Sequence, residues 1–308
     1  MSAELIHVIS STLDRIALAL ILALALAPLW LAPSSSSAEE RKRRRLLFIC
    51  LIISAFGALV DLILRSAALA DVAPMEAWRF VPRVLGHSDY GFFWQLRVGA
   101  WLFMLGTMLW FWRRSWSGLP SWLLLIASLG TALFISATGH AGEDGIWSIP
   151  NMINWLHSVS TSLWGGMVIL YAGIVLPALR EGASPEQTSI VSTRLSTFAA
   201  GALVLVVLSG VFNSWRQLNG IDDLWSTEYG RILLIKLGLV AVMTAIGALN
   251  RFHLVPQMER WQDKILIDWE ALSYRFLQVL RLDSIVFITI LIAAVVLSMQ
   301  SPPAHGQG

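Results

Sequence analysis

The hydrophobic positions of this chain fall in long runs rather than in alternation. Eight stretches, near 8–32, 46–70, 92–112, 120–140, 151–178, 192–216, 230–250 and 277–299, are apolar almost throughout and are separated by charged or Gly/Pro-rich breaks. A helix needs about 20 apolar residues to cross the hydrocarbon of a bilayer, so the pattern predicts eight transmembrane helices. Within lipid the backbone must satisfy its own hydrogen bonds, and for unbroken apolar runs only the helix does so. The expected fold class is an all-α polytopic membrane protein whose first partner is the lipid bilayer. The leading segment MSAELIHV has no Lys or Arg, and the run after it is longer than a signal-peptide core, so the first run is read as a retained span.

Composition sharpens the exclusions. The chain is 56% hydrophobic and 14% charged, against roughly a quarter charged in soluble domains. Cys50 is the single cysteine and sits inside an apolar run, which excludes an intramolecular disulfide and a cysteine-based metal site. Nothing in a net charge of +2 suggests nucleic acid. The sequence has no HExxH, Gly-rich phosphate loop or Ser/His/Asp arrangement, so a transporter or metal-delivery protein is expected rather than an enzyme.

Charge placement gives the direction of the spans. The basic run Arg41, Lys42, Arg43, Arg44, Arg45 follows the first span, and positive residues favour the cytoplasmic side. Alternating from there, inner loops hold 14 of the 22 Lys and Arg residues, whereas the outer loops proper hold only Arg79 and Arg83. Both termini are therefore expected on the outside, in the periplasm if the membrane is the inner membrane of a Gram-negative bacterium. The segment near 251–276 mixes Trp261, Ile265, Ile267, Trp269 and Leu272 with charges, a pattern expected of an amphipathic helix lying along the inner surface.

The two halves of the chain resemble each other. Asp89-Tyr90-Gly91, followed by Arg97 and Gly99, matches Glu228-Tyr229-Gly230, followed by Lys236 and Gly238, at a constant offset of 139 residues. Ile6-His7 with Ser10, Thr12 and Leu13 matches Leu156-His157 with Ser160, Ser162 and Leu163 at an offset of 150. Two four-helix repeats are expected, 1–145 and 146–308. With an even number of spans each, they would run parallel about an axis near the membrane normal. Trp164 then stands where the first repeat has Asp14, so the first half is charged and the second nearly neutral.

On this topology His7, His87, His140, His157 and His305 share the outer side and His253 alone is inner. Imidazole is the commonest protein metal ligand, and imidazole with thioether suits copper. His7, His140, His157 and Met152 are the candidate metal ligands, with Glu143 and Asp144 nearby. Met104 and Met108 read as packing residues. Along span one, His7, Ser10, Ser11 and Asp14 fall on one helical face about 10 Å long. Span two carries Asp61 and Arg65 one turn apart. Ionisable residues at this depth should face the bundle interior and pair, either as a staple between the two spans or, with Asp14, as an ion path. Paired histidines on facing helices also admit an alternative, a b-type cytochrome with bis-histidine haem ligation.

The stretches LHSVSTSLWGGM at 156–167, RLSTFAAGALVLVVLSGVFNSW at 194–215, EYGRILLIKLGL at 228–239 and GALNRFHLVP at 247–256, with GHA at 139–141, resemble the copper-resistance protein D family (CopD, PcoD and the membrane half of YcnJ-type proteins). The likeness covers the second half well and the first loosely. It implies an inner-membrane protein that handles copper ions, with a CopC-like periplasmic copper protein as partner.

Overall fold

The computed structural model describes residues 2–30, 37–112, 118–261 and 268–305. Eight helices among them are long and apolar enough to cross a membrane, and no described residue is in a strand. They are α1 (Ala3–Trp30), α2 (Ser37–Ala70), α4 (Asp89–Trp110), α5 (Leu119–Ala137), α6 (Ile149–Leu170), α8 (Pro185–Gln217), α10 (Glu228–Leu249) and α12 (Trp269–Ser298). Short helices α3 (Val81–His87) and α9 (Asp223–Ser226) lead into α4 and α10. The helix α6 continues through a widened turn at Tyr171–Val175 into α7 (Leu176–Gly182), and α10 continues through Asn250–Leu254 into α11 (Val255–Glu259). Pro177 and Pro256 explain both widenings. A proline cannot donate its backbone nitrogen and its ring displaces the carbonyl one turn earlier, so the helix continues only by loosening that turn.

The segment 251–276 is divided between two spans. Residues 251–259 prolong the seventh helix and 269–276 open the eighth. Lys264, Ile265 and Ile267 lie outside the described residues, as do Arg113 and Arg114 in the loop after α4.

At the centre stand α1 and α6. The alanine-rich middle of α1 lets neighbouring backbones approach closely, the usual device where lipid supplies no hydrophobic drive between helices. Gly166 of α6 faces it at such short range that a Cβ there would lie 2.2 Å from the Ala19 carbonyl oxygen. Met104 and Met108 are fully buried in the surrounding core, as packing residues. Neighbours recur in matching sets: α1 with α2 and α6 with α8, α4 with α5 and α10 with α12, α1 with α5 and α6 with α12, α1 with α12 and α6 with α5. The entries to α4 and α10 also match. Ser88 and Thr227 each cap their helix by accepting from the backbone N–H of Gly91 (3.0 Å) and Gly230 (2.9 Å). At both glycines a Cβ would collide with the preceding short helix, at Val84 and Asp223 respectively.

Candidate functional site

The end of the bundle that bears the chain termini also carries His7, His87, His140, His157 and His305, because an even number of crossings separates each from the N-terminus. There α1, α2 and α4 enclose a charged network. Asp14 of α1 pairs with Arg97 of α4, and Ser54 of α2 donates to the same carboxylate at 2.7 Å. Arg97 also donates to Ser54 at 3.1 Å and lies over the Trp101 ring at 4.7 Å. Both ends of the ion pair are largely withdrawn from solvent, with side-chain exposures of 9% for Arg97 and 13% for Asp14. A lone charge at that depth would be costly, and the pair with its hydroxyl partner removes most of that cost.

About two turns nearer the termini, Asp61 of α2 gathers a second set of partners. The Tyr90 hydroxyl donates to it at 2.7 Å, His7 Nδ1 faces it at 3.5 Å, and the Arg65 guanidinium lies 4.7 Å from the centre of the Tyr90 ring. Asp61 and Arg65 therefore meet through Tyr90. Trp94 fixes α4 against α2 by donating to the Ala58 carbonyl at 3.1 Å. Arg15, beside Asp14 in sequence, donates to Ser298 of α12 at 3.5 Å and also lies within electrostatic reach of Asp14 and Asp61, so that Arg15, Arg65 and Arg97 stand around the two carboxylates.

The second half answers with polar groups and a lysine, Lys236 of α10, within electrostatic reach of His157. His157 of α6 lies against α8, its Nδ1 3.2 Å from the Val206 carbonyl oxygen and 3.1 Å from Ser209 Oγ. The imidazole has room because Gly210 has no side chain: a Cβ there would sit 3.2 Å from His157 Cε1. One turn nearer the end, Asn213 donates to Asn154, Asn154 to Ser136 (2.9 Å), and Ser136 to Asn151 (2.7 Å). This polar chain ties α8, α6 and α5 together.

Among the described residues, the imidazoles predicted as metal ligands face different helices. Each imidazole faces the second helix of its own half, His7 toward α2 and His157 toward α8. Met152 is half-buried on α6, five residues before His157 and so about 140° round the helix. His140 opens a short helical turn between α5 and α6, and its side chain lies outside the described residues. Among the described residues no three His, Cys, Asp or Glu side chains converge on a point. Asp144, in the same loop, faces Arg216 at 3.9 Å. His253 is exposed at the opposite end of the bundle.

Sequence reasoning placed Asp14, Asp61 and Arg65 in the interior but missed Arg97 and Tyr90 as their partners, having used both only as repeat markers. The available signal was Arg97 itself, a cation inside an apolar run that requires a carboxylate on a neighbouring helix.

A helical membrane protein with a buried network of acids and arginines in one half and a mainly polar counterpart in the other is the class that fold and site define. The family "Copper resistance protein D-like, N-terminal domain" matches residues 1–149, and "Copper resistance protein D" matches residues 190–297. The chain belongs to the copper resistance protein D family, and the match reaches into the first half further than the motifs alone suggest. Among curated proteins it is similar to the copper transport protein CutJ of Bacillus subtilis, 31% identical over 58% of this chain and 30% of that protein. It is also similar to copper resistance protein D of Pseudomonas syringae pv. tomato, 29% identical over 77% of each. The inner membrane protein YebZ of Escherichia coli is 29% identical over 46% of this chain and 49% of that protein. No solved structure matches the chain.

Proposed function

We propose that this protein moves or delivers copper ions across the bacterial inner membrane, taking the ion at the outer face through His7 and His157, with His140 and Met152 at the mouth. The reading draws on the printed names of the relatives, two of them copper proteins and one an inner membrane protein. The observation that carries it is the direction of the two imidazoles. A carbonyl or carboxylate oxygen can only accept, so His157 Nδ1 beside Val206 and His7 Nδ1 beside Asp61 carry the proton. The Nε2 lone pair of each is then free for a metal. A carbonyl or carboxylate holding the far nitrogen is the usual support of a ligating histidine. The network of Asp14, Asp61 and Arg65 would line the way inward from this port, and a CopC-like periplasmic protein is the expected donor or acceptor. Both termini face the periplasm in this reading. Residues 1–145 and 146–308 act as parallel repeats, in keeping with the matched neighbours and matched helix caps. Transport, not catalysis, is the proposed activity. A bis-histidine haem in the same residues has no support among the matched families and relatives.

The test is copper bound per purified protein for His7→Ala, His140→Ala and His157→Ala against His253→Ala. Loss in the first three with retention in the last is expected, and equal retention in all four would overturn the site. Asp14→Asn then separates port from path: binding intact with copper uptake abolished puts the charged face of α1 on the route.

A further inference from the structure

Toward the end of the bundle opposite the termini, a cavity of about 360 Å³ opens between α8 and α10. Its floor is Trp164 and Val168 of α6 with Phe276 and Leu280 of α12. The walls are mostly apolar, yet two buried oxygens on them have no hydrogen-bond partner among the described residues: Oδ1 of Asp283, on a residue 2% exposed, and Oδ1 of Asn250, on a residue 6% exposed. Neither belongs to the network at the other end. An ionised carboxylate left alone in such surroundings is so unfavourable that it takes up a compensating positive charge.

The lining decides which one. It holds no His, Cys or Met, so it lacks the soft donors that copper prefers. A hard metal cation such as calcium asks for about 6–8 oxygens. Here the hydroxyls of Ser192 and Thr244 are already committed to the Thr188 and Val240 carbonyls at 2.7 and 2.8 Å. Arg251, the other charged group on the wall, would repel a metal ion, and it already donates to the backbone oxygen and hydroxyl of Ser196 at 3.2 and 3.3 Å. A further titratable group beside the cavity is Tyr171, whose hydroxyl bonds to Ser192 at 2.8 Å and whose ring packs edge-on against Phe276, and a phenol offers the carboxylate no positive charge. Arg15 of α1 reaches Ser298, about 22 Å along α12 from Asp283, and His157 lies about 10 Å along α6 from Trp164, in the direction of the termini. Lys236 of α10 stands about 21 Å along the helix from Asn250. A proton needs only one acceptor, and it turns the acid into a donor while the Asn250 oxygen is an acceptor that lacks one. At about 30 Å³ per water, the cavity is large enough to hold a few between them.

We propose that Asp283 is an exchangeable proton-binding site, reached through the cavity between α8 and α10, with the Asn250 carbonyl oxygen as its hydrogen-bond acceptor. Insofar as the copper-moving reading holds, the proton bound here is the ion coupled to copper movement. The site would load and unload from the side of the membrane that Arg251 faces.

Dicyclohexylcarbodiimide, an apolar reagent that partitions into bilayers, tests this on the intact protein in lipid vesicles. A protonated acid adds across its C=N bond: the carboxyl oxygen joins the central carbon, the proton passes to nitrogen, and the O-acylisourea rearranges to a stable N-acylurea with no atom lost. Peptide mass analysis should find the adduct on Asp283, with a yield that falls as pH rises. The adduct should be lost in Asp283→Asn and kept in Asp283→Glu at the same position. Absence of the adduct from folded wild-type protein, or a yield indifferent to pH, would overturn the site. A second arm follows copper uptake into the same vesicles under an imposed pH gradient. Wild type should respond to the gradient and Asp283→Asn should not, while equilibrium copper binding is unchanged. Copper uptake by wild type that ignores the gradient refutes the coupling. If wild type moves no copper, the transport reading fails alone, since the carbodiimide result still decides the proton site.

Discussion

Arg97→Gln removes the cation from the Asp14 carboxylate and leaves Ser54 as its remaining donor. With side-chain exposures of 9% and 13%, neither partner can exchange the other for water. Breaking a buried pair from one side costs about 3–5 kcal/mol, most of it the uncompensated charge left behind. Asp14→Asn should cost less, about 2 kcal/mol, because Arg97 keeps Ser54 at 3.1 Å and its stack on Trp101 at 4.7 Å. The double variant Asp14→Asn/Arg97→Gln has no buried charge to strand, and the two amides can hydrogen-bond to each other and to Ser54. Its loss should therefore fall below the sum of the two single losses by about 2 kcal/mol, roughly a 30-fold difference in the unfolding constant. Fluorescence of the 15 tryptophans during unfolding in mixed micelles reports the transition for all four proteins. Additive single and double losses would show that Asp14 and Arg97 do not act as a pair, and the account of the network would fall with them.

Three further outcomes are expected. Gly210→Val places branched carbon where His157 Cε1 stands 3.2 Å from the Cβ position, so copper binding should drop as far as in His157→Ala while size-exclusion behaviour is kept. Gly166→Leu cannot be accommodated 2.2 Å from a backbone oxygen of α1, and folded protein should fail to accumulate, as read by detergent-extracted yield. Copper binding should weaken steadily as pH falls, because a proton and the metal compete for the same Nε2 lone pair; binding that strengthens in acid would assign the metal to other ligands.

The fold was legible because lipid leaves few choices. Each apolar run is near the length of one crossing, and the eight described helices follow those runs, reaching beyond them at the starts of α2, α8 and α12 and past Pro177 and Pro256. Interior placement of Asp14 and Asp61 followed from the cost of charge in hydrocarbon. Their partners were not legible because partner choice depends on how helices rotate about their axes. Arg97 reaches Asp14 across 83 residues of sequence, and Tyr90 reaches Asp61 across 29. Local spacing favoured Asp61 with Arg65, yet both meet through Tyr90 of another helix. Gly210, whose missing side chain leaves room for the His157 ring against α8, gave no sign in the sequence of its role. Asp283 carried the same warning as Arg97, an ionisable residue inside a span, and Asn250, its companion on the cavity wall, gave no sign in a single sequence.

The Asp14–Arg97 pair also bears on how the chain enters the membrane. As α1 leaves the ribosome it carries Asp14, while its cation lies 83 residues behind. At about 5–20 residues per second, synthesis takes on the order of ten seconds to deliver Arg97. Through that interval the acid near the N-terminal end of α1 lacks its interhelical partner, and α1 cannot settle among lipids as a finished helix. It must wait beside the insertion machinery until α4 arrives. Helix α1, the most buried of the described spans, is thus secured only when the third of them is made, and a nascent chain arrested short of Arg97 should remain extractable where one arrested after α4 is integrated.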